Sequence, residues 1–235
     1  MDKVKLFCLP HAGDSASTYY RWLHYLSENI ELHPIELSGR GMRFSEPLYN
    51  SYDEVVNDVF LQIKDSINYK TKFAFWGHSM GSLIAYEVSH KIIKELKLKP
   101  IHIFFSGKEA PQVKKEVEII HKLDDEKFKK KIYEMGGTEK EVLENKDLRN
   151  IFLPVLRADY KLVEEYVYKP KNAVYDFNIS VLFGVNDNDL EKDILEWQKQ
   201  TSAICKFYKF KGGHFYLNDN IERITSIINK ELLGK

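Results

Sequence analysis

Along the chain, short runs of β-branched and aromatic residues alternate with longer stretches in which apolar residues recur at helical spacing. That alternation is the sequence form of a parallel sheet whose strands are joined by crossover helices. Val4–Leu9 reads as the first strand, and residues 17–28 as a helix with Tyr19, Trp22, Leu23 and Leu26 on its apolar face. Residues 31–37 read as a second strand, followed by a glycine turn at Gly39 and Gly41. Asp53 stands where it would cap a helix carrying Val55, Val56, Val59, Phe60 and Ile63 at helical spacing. Residues 73–77 are nearly all apolar, as a central parallel strand covered on both faces requires. Residues 81–96 return as a helix. Residues 101–106, residues 179–183 and Cys205–Phe210 complete the strands, and residues 190–200 and Ile221–Leu233 read as helices.

The alternation fails from about residue 108 to about residue 176, where helical pieces rich in Lys and Glu replace strands. An insertion of that length with its own helices predicts a functional cap over the sheet. Neither a repeat nor a linker divides the rest, so residues 1–235 read as one domain.

Composition narrows the picture by exclusion. The chain carries 35 basic and 35 acidic side chains, a formal net charge of zero. That balance gives no bulk attraction toward nucleic acid or an anionic membrane, and neither is expected as a partner. No apolar run approaches the ~18 residues of a membrane-spanning helix, and the short apolar stretch after Lys5 is interrupted at Pro10. The two cysteines, Cys8 and Cys205, each lie within a strand-like segment, which predicts buried thiols in a reducing compartment and a cytoplasmic protein. Nothing in the spacing of Cys and His suggests a metal cluster.

The chemistry begins at Gly77-His78-Ser79-Met80-Gly81, a G-x-S-x-G sequence directly after an apolar strand and directly before a helix. On a sharp strand-to-helix turn the Ser79 hydroxyl projects above the sheet, while glycines two residues to either side let strand and helix approach. The Met80 N–H, at the helix start, then points toward a developing oxyanion. A serine nucleophile needs a base, and the base an orienting carboxylate, in the chain order Ser, Asp or Glu, His for this fold. His214 fits the base: it follows the strand Cys205–Phe210 and the pair Gly212-Gly213, in a loop at the carboxyl end of the sheet. The acid is sought in Gly184-Val185-Asn186-Asp187-Asn188-Asp189; Asp187 is the first candidate and Asp189 the second. The second oxyanion donor belongs to Pro10-His11-Ala12-Gly13, with Ala12 N–H as donor. His11 reads as pocket lining. His78, flanking the serine, reads as a packed or hydrogen-bonded histidine.

With these residues in place, the chain resembles the type II thioesterases of nonribosomal peptide and polyketide synthases. The resemblance spans the whole length. It rests on Phe7-Cys8-Leu9-Pro10-His11-Ala12-Gly13, on Ser38-Gly39-Arg40-Gly41 and on Trp76-Gly77-His78-Ser79-Met80-Gly81. It also rests on Phe152-Leu153-Pro154-Val155-Leu156-Arg157-Ala158-Asp159-Tyr160 and on Gly212-Gly213-His214-Phe215. The family usually has a second glycine where Asp14 stands and a proline where Ser38 stands. The resemblance implies an α/β-hydrolase fold, a mostly parallel sheet flanked by helices, with the helical insertion as a mobile lid. It implies acyl, aminoacyl or peptidyl thioesters as substrates, carried on the phosphopantetheine arm of carrier-protein domains, with no cofactor of the enzyme's own. A monomer is expected.

Within the insertion, Phe128, Ile132, Tyr133, Met135, Leu143, Phe152, Leu153, Val155 and Leu156 offer apolar surface, mostly for packing within the lid. Lys127, Lys129, Lys130 and Lys131 form a basic run that reads as a solvated helix face, with docking of an acidic carrier protein as the alternative. The same three catalytic positions would also serve an esterase or lipase, or an acyltransferase. A hydrolase-like binding module is disfavoured because all three hold competent residue types.

Overall fold

The computed structural model describes residues 3–116, 118–137, 140–187 and 193–234. Its frame is a six-stranded sheet built from β1 (Val4–Leu9), β2 (Ile30–Pro34), β3 (Phe73–His78), β4 (His102–Ser106), β5 (Ile179–Gly184) and β6 (Cys205–Phe210). The spatial order is β2-β1-β3-β4-β5-β6, and every neighbouring pair is parallel. Strand side chains alternate between two apolar layers, as a sheet covered on both faces requires. Phe7, Phe75, Ile103, Phe105 and Val181 pack with α1 (Tyr52–Lys64) and α2 (Met80–Leu96) on one side. Leu6, Cys8, Trp76 and Phe104 pack with Tyr19, Trp22 and α6 (Ile221–Leu233) on the other.

Several elements differ from the sequence reading for identifiable reasons. The segment expected as a helix over residues 17–28 is a 3-10 helix, Ala16–His24. Its buried residues, Ala16, Tyr19 and Trp22, recur every third position, the period of that helix. Leu23 consequently leaves the apolar face and is 58% exposed. The second strand stops at Pro34, which has no N–H for the ladder; Ile35 and Leu37 are buried beyond its end. Ser51, not Asp53, caps α1: its hydroxyl accepts from the Glu54 amide at 3.3 Å, and Asp53 sits in the first turn. Of the helix expected over residues 190–200, residues 190–192 lie outside the described residues, and Leu195–Gln200 is 3-10. Cys8 is buried; Cys205, at the start of the edge strand, is only half-buried, and both thiols are free.

Between β4 and β5 the chain forms α3 (Asp125–Met135), α4 (Lys140–Glu144) and α5 (Lys146–Glu164). Asp124 and Asn145 cap α3 and α5 with side-chain oxygens on early amides. These helices own a small core of Ile120, Phe128, Ile132, Leu143, Leu153 and Leu156. Tyr133 and Met135 are exposed instead. Every lysine of the basic run meets an acid: Lys127 with Asp124, Lys129 with Glu126, Lys130 with Glu134 and Lys131 with Glu118. The run is a charge-balanced face, in line with the solvated reading. Among the described residues no helix is long and apolar enough to cross a membrane.

The chain runs outward from β1 to β2, then returns to place β3 on the other side of β1. At such a switch point the loops leaving neighbouring strands diverge and open a crevice at the carboxyl ends. The loop after β1 carries Ala12, and the turn after β3 carries Ser79.

Candidate active site

Ser79 has φ 53° and ψ −115°, a backbone conformation that side chains rarely adopt. Its neighbours hold it there. The Ser79 amide donates to the Ser106 carbonyl at 2.8 Å. The Ser82 hydroxyl bonds the carbonyls of Gly77 and Ser106 at 2.7 and 2.9 Å and accepts from the Ser106 amide. The turn is tight enough that a β-carbon at position 77 would stand 2.2 Å from the Gly81 carbonyl oxygen. That contact explains Gly77; a β-carbon at Gly81 would meet the Leu9 carbonyl oxygen at 2.2 Å, which explains the second glycine of the motif.

The base and acid candidates come from the two adjacent loops at the same end of the sheet. Gly184 closes β5 so near the loop after β6 that a β-carbon there would lie 2.2 Å from the Gly213 carbonyl oxygen. The amides of Val185 and Asn186 donate to the carbonyls of Phe210 and Gly212 at 2.9 Å each. So stitched, the loops bring Asp187 Oδ2 to 2.8 Å from His214 Nδ1. Both side chains are partly shielded, His214 at 29% and Asp187 at 16% exposure. Asp189, the second candidate, lies outside the described residues. The His214 ring sits 5.1 Å from that of His78, next to Ser79, although no hydrogen bond among the described residues joins His214 to the Ser79 hydroxyl.

His78 is fully buried and is a packed, hydrogen-bonded histidine, as expected. Its Nδ1 lies 2.8 Å from the Ser106 hydroxyl, which lies 2.6 Å from the Tyr216 hydroxyl. Burial pulls its pKa well below the ordinary imidazole value, and the positive charge of a protonated His214 adds to that. His11 packs on the rings of His78 and Phe215 and is pulled down to about 3, by burial first and by His214 second. Both imidazoles are therefore neutral at physiological pH.

Residues His11 to Asp14 form a four-residue turn closed by the Asp14 amide on the His11 carbonyl at 3.2 Å. Gly13, at its third position, has φ +80°, which favours glycine. Neither Ala12 N–H nor Met80 N–H has a hydrogen-bond partner among the described residues, whereas Gly13 N–H donates to Asp159 Oδ2 at 2.7 Å. Asp159, on α5, is 1% exposed and takes the Arg40 guanidinium in a fork, at 2.6 and 2.7 Å. Burial opposes the charge on Arg40, but the Asp159 charge and hydrogen bonds outweigh it and hold the guanidinium above its usual range. Sequence reasoning did not find this pair. Both residues stood inside motifs valued for their likeness, Ser38-Gly39-Arg40-Gly41 and Arg157-Ala158-Asp159-Tyr160, but 119 residues separate them.

A cleft of about 360 Å³ opens where the insertion joins the sheet, lined among others by Leu83, Val113, Val163 and Tyr166. Ser79, Asp187 and His214 are not among its lining residues. Among the described residues no group of three or more His, Cys, Asp or Glu could hold a metal ion.

A parallel sheet with an elbow serine at its switch point and an imidazole–carboxylate pair in the neighbouring loops is α/β-hydrolase architecture. Within that class the chain belongs to the thioesterase domain family, which it matches over residues 4–232. It is thus a thioester hydrolase. It is 35% identical over 231 residues to the gramicidin S biosynthesis protein GrsT of Aneurinibacillus migulanus, covering 98% of this chain and 89% of that protein. It is 32% identical to the medium-chain S-acyl fatty acid synthase thioesterase of Rattus norvegicus, covering 96% and 87%. Among solved structures, ClbQ from the colibactin NRPS/PKS pathway superposes with a TM-score of 0.94 at 33% identity, covering 99% of this chain and 98% of that one. The type II thioesterase BorB, from the borrelidin biosynthetic cluster, gives 0.88 at 28% identity, covering 98% and 93%.

Proposed function

We propose that Ser79, His214 and Asp187 form a catalytic triad that hydrolyses acyl, aminoacyl or peptidyl thioesters on the phosphopantetheine arm of carrier proteins. The activity edits mis-primed or stalled synthase modules through an acyl-enzyme. The observation that carries the reading is the 2.8 Å bond from His214 Nδ1 to Asp187, with the His214 ring beside the elbow serine. The carboxylate holds the proton on Nδ1 and leaves Nε2 free to accept one. The likeness to GrsT and ClbQ supports the synthase setting.

In the first half-reaction His214 Nε2 takes the Ser79 proton as Oγ attacks the thioester carbonyl. The amides of Met80 and Ala12 hold the oxyanion, and the pantetheine thiol leaves. A thiol of pKa roughly 8.5 departs with little help, so stabilising the oxyanion is the larger task. Water, deprotonated by the same histidine, then releases the acid. The missing Ser79–His214 bond accords with this scheme, because such contacts often tighten only when substrate is bound.

Residues 1–235 act as one domain in this scheme, with the insertion as a lid over the serine. The enzyme needs no cofactor and works as a cytoplasmic monomer. The basic run contributes no net charge to docking, since its lysines are matched by their own acids.

Release of acids from a panel of acyl-loaded carrier proteins, followed by intact-protein mass spectrometry, tests the proposal. Short and mis-primed acyl groups should be removed readily, and Ser79→Ala should abolish their removal. Preference for medium-chain fatty acyl groups alone would instead favour the role named for the rat relative. Faster cleavage of a matched oxygen ester, or transfer of the acyl group to an alcohol or amine, would overturn the thioester-hydrolase reading.

A further inference from the structure

We propose that Asp159, on helix α5 of the insertion, is a positioning residue for the oxyanion loop and organises the Ala12 amide through its grip on Gly13. The inference rests on the proposed role of Ala12 as an oxyanion donor. It assigns to the insertion a part in the chemical step as well as in covering the site.

The turn His11–Asp14 is held at three backbone groups. Asp14 N–H closes it on the His11 carbonyl at 3.2 Å. Gly13 N–H donates to Asp159 Oδ2 at 2.7 Å, and the Asp14 carbonyl accepts from Arg40 Nη1 at 3.2 Å. Arg40 is itself fixed by the fork to Asp159. Ala12 N–H has no partner among the described residues. The central peptide of such a turn, Ala12 C=O to Gly13 N–H, can face either way, and the two settings define different turn types. A buried carboxylate opposite Gly13 selects one of them, because reversing the peptide would set a carbonyl oxygen against an anion. The same choice commits Gly13 N–H elsewhere and leaves Ala12 as the donor.

Packing reinforces the selection from the same helix face. Leu156, three residues before Asp159, presses its Cδ2 to 2.3 Å from where a β-carbon on Gly13 would stand. Both contacts leave with α5 if the insertion swings away, so the loop is organised only while α5 is docked.

The test compares two double variants with the wild type on an acyl-pantetheine thioester. Asp159→Leu with Arg40→Met removes the acceptor for Gly13 without leaving an unpaired buried charge, a replacement that buried ion pairs often tolerate. Asp159→Asn with Arg40→Met restores an acceptor, the amide oxygen. The first pair should lower kcat roughly 10²-fold, the scale of one lost oxyanion donor, with KM within about threefold of wild type. Binding of an acyl trifluoromethyl ketone, which captures the serine as a tetrahedral oxyanion, should weaken by the same factor. Binding of the matched uncleavable thioether should not change. The second pair should recover at least tenfold of the lost rate.

Equal rates in the two pairs, or a loss shared equally by ketone and thioether, would overturn the positioning role. If the first pair does not fold, the second alone decides: a loss as large as that of Ser79→Ala refutes it. Hydrolysis that survives Ser79→Ala would refute the underlying triad instead, so the two failures are distinguishable.

Discussion

The carbonyl oxygen of Leu9 lies 2.2 Å from the point where a β-carbon at Gly81 would stand, and that of Pro10 lies 2.8 Å from it. The end of β1 therefore meets the first turn of α2 backbone to backbone, which sets the loop after β1 against the elbow. Overpacking against immobile backbone costs about 1–3 kcal/mol or more. Gly81→Ala should lower the urea midpoint with an unchanged m-value and slow turnover as the loop is displaced. An unaltered midpoint would show that the two segments can separate freely.

Ser79 holds φ 53° and ψ −115°, and strained residues of this kind cost on the order of 1–3 kcal/mol. Glycine relieves that strain, although it ordinarily loses roughly 0.5–1 kcal/mol to alanine inside regular structure. Ser79→Gly should therefore be at least as stable as Ser79→Ala in denaturant unfolding, with both inactive. An alanine variant clearly more stable than the glycine variant would mean that the turn stores no strain.

Asp187 meets the far nitrogen of His214 at 2.8 Å. An amide in its place favours the wrong imidazole tautomer, so Asp187→Asn should lower kcat by roughly 10²–10⁴-fold at unchanged folding. Asp189→Asn should have little effect. If the two variants exchanged behaviour in steady-state kinetics, the acid would be Asp189.

Buried neutral histidines give the fold an acid limit. Burial lowers His11 and His90 to about 3 and His102 to about 4, from an ordinary 6.5, and lowers His78 as well. A base with a depressed folded pKa leaves the unfolded chain binding more protons below 6.5. The stability is thus fully present above about pH 6.5 and is lost as the pH falls toward the folded values. His90 stacks on Tyr175 at 4.5 Å, with Nε2 unpartnered. His90→Phe keeps the stack and should be more stable than wild type at pH 5 by ~2 kcal/mol, at about 1.4 kcal/mol per proton and pH unit. The gain should vanish near pH 7.5. Unfolding curves with the same pH slope for both proteins would show that His90 titrates normally.

Much of this protein was determined by local sequence. Strands such as Val4–Leu9 and Cys205–Phe210 were legible because apolar and β-branched runs bounded by turns have one compact use. The elbow was legible because a G-x-S-x-G between a strand and a helix packs its chemistry into five adjacent residues. Asp187 and His214 followed from strand order, since each lies in the loop after a recognisable strand. Local pattern failed where one period imitates another: Tyr19 and Trp22 fit a helix face, but packing against Trp76 selected the three-residue spacing of a 3-10 helix.

Only tertiary structure decided what meets across the chain. No spacing rule joins Arg40 to Asp159, because the two are brought together by the docking of α5 on the loops at the carboxyl edge of the sheet. The same holds for His78 beside Ser106, and for Gly184 against Gly213. A residue's neighbours along the chain write its backbone preference, whereas a buried charge or imidazole takes its partner from wherever close packing places one. The candidate nucleophile could therefore be read from the sequence, while the groups that hold its surroundings still could not.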